Sequence, residues 1–377
     1  MKISFNKAYL TGKESEYIQQ VLDSGNIAGN GHFTALCHSF FENRFGFRKT
    51  LLTNSNSDAL EMAAILLDIK PDDEVIMPSF TDVSTANPFA LRGATIKFAD
   101  IDLMTLNISS HEIQKLISTR TKAIVVKHFA GIACDMDPIL QIAREANVFV
   151  IEDASYAVNS EYKGKALGGV GDLAVFSFHA SQNISSGEGG LLIINNKELQ
   201  ERAEIIWQQG AVKVELPNEQ SKKYSWADLG SSFIPSEIVA AFLHAQIENI
   251  DKIQQKRKDL WNKYKVKLSE LELKDFIKLP FIPDYANHNY NTFYILTHIQ
   301  KLREKLILFL EDNGILCDTQ YVPLHLSEYY TSRYERRILK NTEDISGRVI
   351  NLPLYYSLQD SEIDYICDKI HEFFFKT

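Results

Sequence analysis

Gly171 to Asn195 reads GDLAVFSFHASQNISSGEGGLLIIN, and the fold is decided by how this stretch is read. Leu173 to Phe178 is a short apolar run with β-branched and aromatic members, and Gly190 to Ile194 is another; both have strand length. Between them His179, Ser181, Gln182, Asn183, Ser185, Ser186 and Glu188 crowd a turn punctuated by Gly187, Gly189 and Gly190. An exposed hairpin would explain the pattern. So would a functional loop at the ends of buried strands, which is where α/β proteins carry their chemistry.

Upstream, short apolar runs alternate with helical ones. The strand candidates are Lys49–Thr53, Glu74–Met77, Thr95–Phe98, Ala123–Val126 and Val148–Glu152, which with the two central runs make seven. Helical periodicity covers Asp58–Leu67, Val83–Leu91, His111–Ile117 and Asp137–Glu145, after two N-terminal helices separated by the glycine-rich loop Ser24–Gly31. This alternation predicts a largely parallel sheet covered on both faces. Downstream, Asn196–Gln209 reads as a helix, Gly210–Lys223 as a polar loop, and Ser236 to Leu271 as one long helix. The remainder reads as a small α/β unit with strands at Phe293–Thr297 and Gly314–Thr319 and helices at Leu302–Asn313 and Ser361–Phe374.

Composition narrows the function classes. At 377 residues the chain exceeds what one core usually serves. A formal charge of −9 with no basic run argues against a nucleic-acid surface. No apolar stretch reaches membrane-spanning length, and Met1 leads into KISFNKAYL without a signal-like apolar core, so a cytoplasmic protein is expected. Cys37, Cys134, Cys317 and Cys367 form no C-x-x-C pair, and the ten histidines show no metal-binding spacing, so no metal site is expected.

Ser177-Phe178-His179, followed by Gln182-Asn183 and Gly187-Glu188-Gly189-Gly190, resembles the lysine loop of the pyridoxal-phosphate-dependent sugar aminotransferases, the DegT/DnrJ/EryC1/StrS family. Within it the branch acting on dTDP-4-oxo-6-deoxyhexoses is the nearest likeness. The resemblance runs from the N-terminal loop to the C-terminal unit. It implies a fold type I aminotransferase architecture: a large domain, 1–240, with a mostly parallel seven-stranded sheet, and a small C-terminal α/β domain, 241–377. It also implies a homodimer, and a nucleotide-linked deoxy sugar as ligand.

The family's Schiff-base lysine corresponds to Gln182. A carboxamide can neither form an imine nor shuttle a proton as an amine does. Other family positions are partly kept. Ser55-Asn56-Ser57 opens a helix as a phosphate cradle would, or as a simple N-cap. Ser177 stands at a phosphate-contacting serine, and Asp153 at the aspartate that pairs with the pyridinium nitrogen. Asp82 replaces the aromatic residue that lies on the ring, and Tyr156 replaces a smaller side chain. Lys127, just before His128, stands where relatives carry an apolar residue; with Asn183 it is assigned to the substrate side. Tyr321-Val322-Pro323-Leu324-His325 matches a motif near the nucleotide-sugar pocket, which adds Tyr321 and His325.

The leading expectation is a sugar-nucleotide-binding relative that has lost pyridoxal or pyridoxamine phosphate and lysine-dependent transamination. N-acyl transfer to a sugar amine in surface-polysaccharide synthesis would be one new use, with His179, His128 or Asp153 as candidate base. Two alternatives stay open: an aminotransferase whose lysine was exchanged for Gln182, and a non-catalytic partner subunit of an active enzyme.

Overall fold

The computed structural model describes residues 2–214, 223–319, 321–334 and 337–376. The chain opens with helices α1 (Glu14–Ser24) and α2 (His32–Phe45). Strand β1 (Thr50–Thr53), helix α3 (Asn56–Leu66), β2 (Glu74–Pro78), α4 (Val83–Leu91) and β3 (Thr95–Ala99) follow. Next come β4 (Thr121–Lys127), β5 (Phe149–Asp153) and the strands Leu173–Ser177 and Gly190–Ile194. These form one seven-stranded sheet in the order β1, Gly190–Ile194, Leu173–Ser177, β5, β4, β2, β3. Only Gly190–Ile194 runs against its neighbours. The central stretch is thus an antiparallel pair with Leu173 opposite Ile194 and Ser177 opposite Gly190, set inside an otherwise parallel sheet.

Both sheet faces are dry, which explains why the strands read as unbroken apolar runs. Ala174, Phe176, Leu191 and Ile193 join one core with Phe41 of α2. The alternate residues Leu173, Val175, Leu192 and Ile194 join another with Leu60 and Ala63 of α3. A third core unites Trp261, Tyr264 and Leu268 with Phe293, Ile350, Ile366 and Ile370, and takes Ile3 from the N-terminal arm.

The C-terminal elements depart from expectation in three places. Ser236–Leu271 is two helices, Glu237–Ile247 and Ile250–Leu273. At the break the Asn249 side chain donates to the Ala245 carbonyl at 3.0 Å, so a polar side chain takes over part of the backbone bonding. Gly314–Thr319 is not a strand: its two bridges, Ile3 with Ile315 and Asp318 with Asn351, go to different segments. The partner of Phe293–Leu296 is instead Val349–Leu352, antiparallel. Around 210–223, Ala211–Val214 pairs with Lys223–Trp226; residues 215–222 of the expected loop lie outside the described residues. Among the described residues no helix is long and apolar enough to cross a membrane, and no cluster could hold a metal ion.

One buried carboxylate fastens the two ends of the large sheet region together. Glu237, 2% exposed, accepts from the Gly31, Phe33 and Thr34 amides at 2.9, 2.7 and 3.1 Å and from the Thr34 hydroxyl. It thereby satisfies three of the free N–H groups at the start of α2. Glu237→Gln replaces one acceptor oxygen by a donor facing those amides. The variant should lose about 2–3 kcal/mol, the worth of a charge-assisted bond with its partner left buried, read as a lowered urea midpoint.

Candidate functional site

Four strand ends meet at one edge of the sheet. β2 runs on into Ser79–Asp82, β4 ends at Lys127, β5 at Asp153 and the Leu173–Ser177 strand at Ser177. Lys127 and Asp153 are direct partners in the parallel register, so their side chains share a face. Lys127 Nζ is 3.2 Å from Asp153 Oδ2, 3.2 Å from Asp82 Oδ2 and 2.9 Å from Ser155 Oγ. It lies 4.7 Å from the Tyr156 ring centroid and 5.8 Å from that of Tyr321. Asp153 is completed by the Thr85 hydroxyl at 2.6 Å and the Ser155 amide at 3.2 Å, and Thr81 donates in turn to Thr85.

The charges hold one another. Burial works against the Lys127 ammonium, but the Asp153 and Asp82 carboxylates outweigh it and raise its pKa above the ordinary lysine value. Burial likewise works against the Asp153 carboxylate, and the Lys127 charge with the Thr85 and Ser155 bonds lowers its pKa below the usual range. Burial and the Asp82 charge push the Tyr156 phenol up to about 12. Asp82 precedes α4 but makes no capping bond there; its carboxylate turns to Lys127 instead.

Above this cluster lies a cavity of about 290 Å³, lined by Ser55, Asn56, Ser57, Asp82, Tyr156, Ser177, His179 and Gln182, with Glu188 at its rim. The residues singled out in the chain as Asn56, Ser57, Asp82, Tyr156, Ser177, His179 and Gln182 are therefore neighbours in space. Ser55 caps α3 by accepting the Asp58 amide at 3.1 Å, and Asn56 Oδ1 is buried with no partner among the described residues. His179 is exposed, with Ser181 Oγ 2.7 Å from Nδ1 and Glu188 3.6 Å from Nε2.

Three singled-out residues are placed elsewhere. His128 is fully buried; it accepts the Cys134 amide at Nδ1, which leaves Nε2–H to donate to Glu152 at 3.1 Å. Asn183 is buried behind the loop, bonded to the Asn289 carbonyl at 3.1 Å and the Asn291 amide at 3.0 Å. His325 is also fully buried: Ser79 lies 2.7 Å from its Nδ1 and Glu343 3.2 Å from its Nε2. None of the three lines the cavity. Thr85, Ser155 and Asn291, whose amide reaches Gln182 at 3.4 Å, escaped the sequence reading. Their signal was faint: two opposite charges ending consecutive buried strands, Lys127 and Asp153, call for neutral donors around them.

The sequence profile of the DegT/DnrJ/EryC1/StrS aminotransferase family matches residues 9–371. The chain belongs to this family. Among its relatives, GDP-perosamine synthase of Escherichia coli O157:H7 is 33% identical over 371 residues, covering 97% of this chain and 96% of that one. The spore coat polysaccharide biosynthesis protein SpsC of Bacillus subtilis is 31% identical over 374 residues, covering 96% and 95%. Among solved structures, the aminotransferase TlmJ from Streptoalloteichus hindustanus superposes with a TM-score of 0.91 at 26% identity, over 99% of both chains. The expected fold type I aminotransferase architecture is thereby confirmed.

The cluster's contribution to stability has two pH limits. The raised Lys127 pKa makes its part complete below about pH 10 and lost as pH climbs through the native value. The lowered Asp153 pKa makes its part complete above about pH 4 and lost as pH falls through the native value. Lys127→Met should cost about 3–5 kcal/mol, as expected when one partner of a buried pair is removed. Adding Asp153→Asn should recover much of that, and urea midpoints across this pH range read both effects.

Proposed function

We propose that this member of the family binds a nucleotide-linked deoxy sugar and does not carry out lysine-dependent transamination. The observation that carries the reading is the state of Asp153: its Oδ2 already accepts from Lys127 and Thr85. A lysine-tethered pyridoxal phosphate needs an amine, a free carboxylate for its ring nitrogen, a flat face and an anion cradle. Gln182 supplies no amine, Asp82 no flat face, and a carboxylate beside a phosphate dianion repels it. The residues present do not fit that group.

For the sugar, family membership supports a nucleotide-linked ligand. The branch resemblance favours a dTDP sugar, and the GDP-perosamine synthase relatives favour a GDP sugar, so both belong in the test. Among His179, His128, Asp153 and Gln182, only His179 is both titratable and open to a ligand, as a general base must be. N-acyl transfer to a sugar amine would therefore use His179. Exposed Trp226, on the paired strands Ala211–Val214 and Lys223–Trp226, is a candidate anchor for the proposed homodimer.

Calorimetry with amino-sugar, keto-sugar and sugar-free forms of dTDP and GDP tests the reading. A nucleotide amino sugar should bind, and Tyr321→Ala should weaken it by about 1–3 kcal/mol, through lost contacts and unpaired polar groups. Borohydride treatment with added pyridoxal phosphate should leave no adduct in the His179–Gly190 peptide or on Lys127, and Gln182→Lys alone should not restore transamination. An internal aldimine mapped to Lys127, or activity in that single variant, refutes the loss of lysine chemistry. Binding with turnover once an acyl donor is supplied favours a transferase, and binding without turnover a partner subunit.

A further inference from the structure

Lys127 is bonded as a ligand would be. An ammonium has three hydrogens, and Lys127 Nζ has three oxygen partners, Asp82, Asp153 and Ser155, at 3.2, 3.2 and 2.9 Å. The rings of Tyr156 and Tyr321 face it at 4.7 and 5.8 Å. Two carboxylates, a hydroxyl and two aromatic faces are the chemistry that recognises an organic cation. Here that cation is delivered by the protein's own β4 strand, and only 2% of the side chain is exposed.

We propose that Lys127 is the built-in occupant of a cation cage formed by Asp82, Asp153, Ser155, Tyr156 and Tyr321, and so sets what the cavity above it admits. With the ammonium in place, Asp153 offers an external cationic ring no unbalanced charge: Oδ2 serves Lys127 and Thr85, and Oδ1 accepts the Ser155 amide. Asp82, Asp153 and Glu188 against Lys127 leave two net negative charges around the cavity. The remaining space therefore selects for a neutral polar or amine-bearing group and against a phosphorylated one. The inference rests on the reading that the protein works without the ring cofactor, and it adds the residue responsible.

The test empties the cage. Lys127→Ala removes a propylammonium's worth of side chain, so n-propylammonium chloride should raise the variant's Tm by several degrees. The shift should grow with the logarithm of amine concentration once the site is filled. Potassium chloride at equal ionic strength, and tetrapropylammonium, should do nothing, and wild-type protein should not respond. Adding Asp153→Asn to the variant should abolish the response. A folded Lys127→Ala protein indifferent to the amine overturns the proposal, as does a response that survives Asp153→Asn. If the single variant does not fold unaided, the amine present during refolding must restore its circular dichroism, and failure to do so also overturns the proposal. These readouts are separate from the cofactor-free reading, which fails on a pyridoxal phosphate aldimine mapped to Lys127 of the wild-type protein.

Discussion

Lys127 and Asp153 face each other across neighbouring parallel strands, both shut away from water, and the cavity edge is arranged around that pair. Two isolated buried charges would be prohibitively costly; in contact they are tolerable only if the remaining donors and acceptors are satisfied. The surroundings meet that condition. Asp82 and Ser155 complete the ammonium, Thr85 and the Ser155 amide complete the carboxylate, and two tyrosine rings close the sides. Lys127 and Asp153 end neighbouring strands, Asp82 follows β2, and Ser155 and Tyr156 follow β5, so the geometry of the sheet largely becomes the geometry of the charges. The scaffold is that of a broad enzyme family, but its chemistry follows from these local side chains and not from the fold.

Much of the architecture was legible because the signals were of the right kind. Every strand of the large sheet was an apolar run bounded by turn residues, and each lies within about two residues of its expected limits, the usual uncertainty of element ends. The C-terminal unit was harder. Val349–Leu352 is only four residues long and sits next to the equally apolar Leu354 and Tyr355. Gly314–Thr319 has strand-like composition but divides its bonds between two partners. Composition reports burial; it does not report which neighbour supplies the hydrogen bonds.

The site was legible as a set of positions and not as a set of contacts. Asp82, Tyr156, Ser177, His179 and Gln182 converge because the strand ends converge. His128 and His325 drew attention as polar residues in otherwise apolar or motif-rich surroundings, and both prove to be internal struts with each ring nitrogen engaged. Lys127 was read as a substrate contact because its partner in the neighbouring strand could not be seen without the register. Knowing that Lys127 pairs with Asp153 turns an odd residue into the reason the others are arranged as they are.

The Glu237 clamp bears on the order in which this chain becomes structured during synthesis. The amides that open α2 belong to residues 31–34, and their acceptor is encoded about two hundred residues later. β1 waits as well, since its sheet neighbour is Gly190–Ile194. At ribosomal rates of about 5–20 residues per second, the interval before Glu237 emerges is roughly 10–40 s. The cap is missing for the whole interval, and until Gly190–Ile194 emerges β1 has no strand partner either. The nascent N-terminal segment must stay soluble by itself over that time, so substitutions that make it stickier would reduce yield without altering the finished protein.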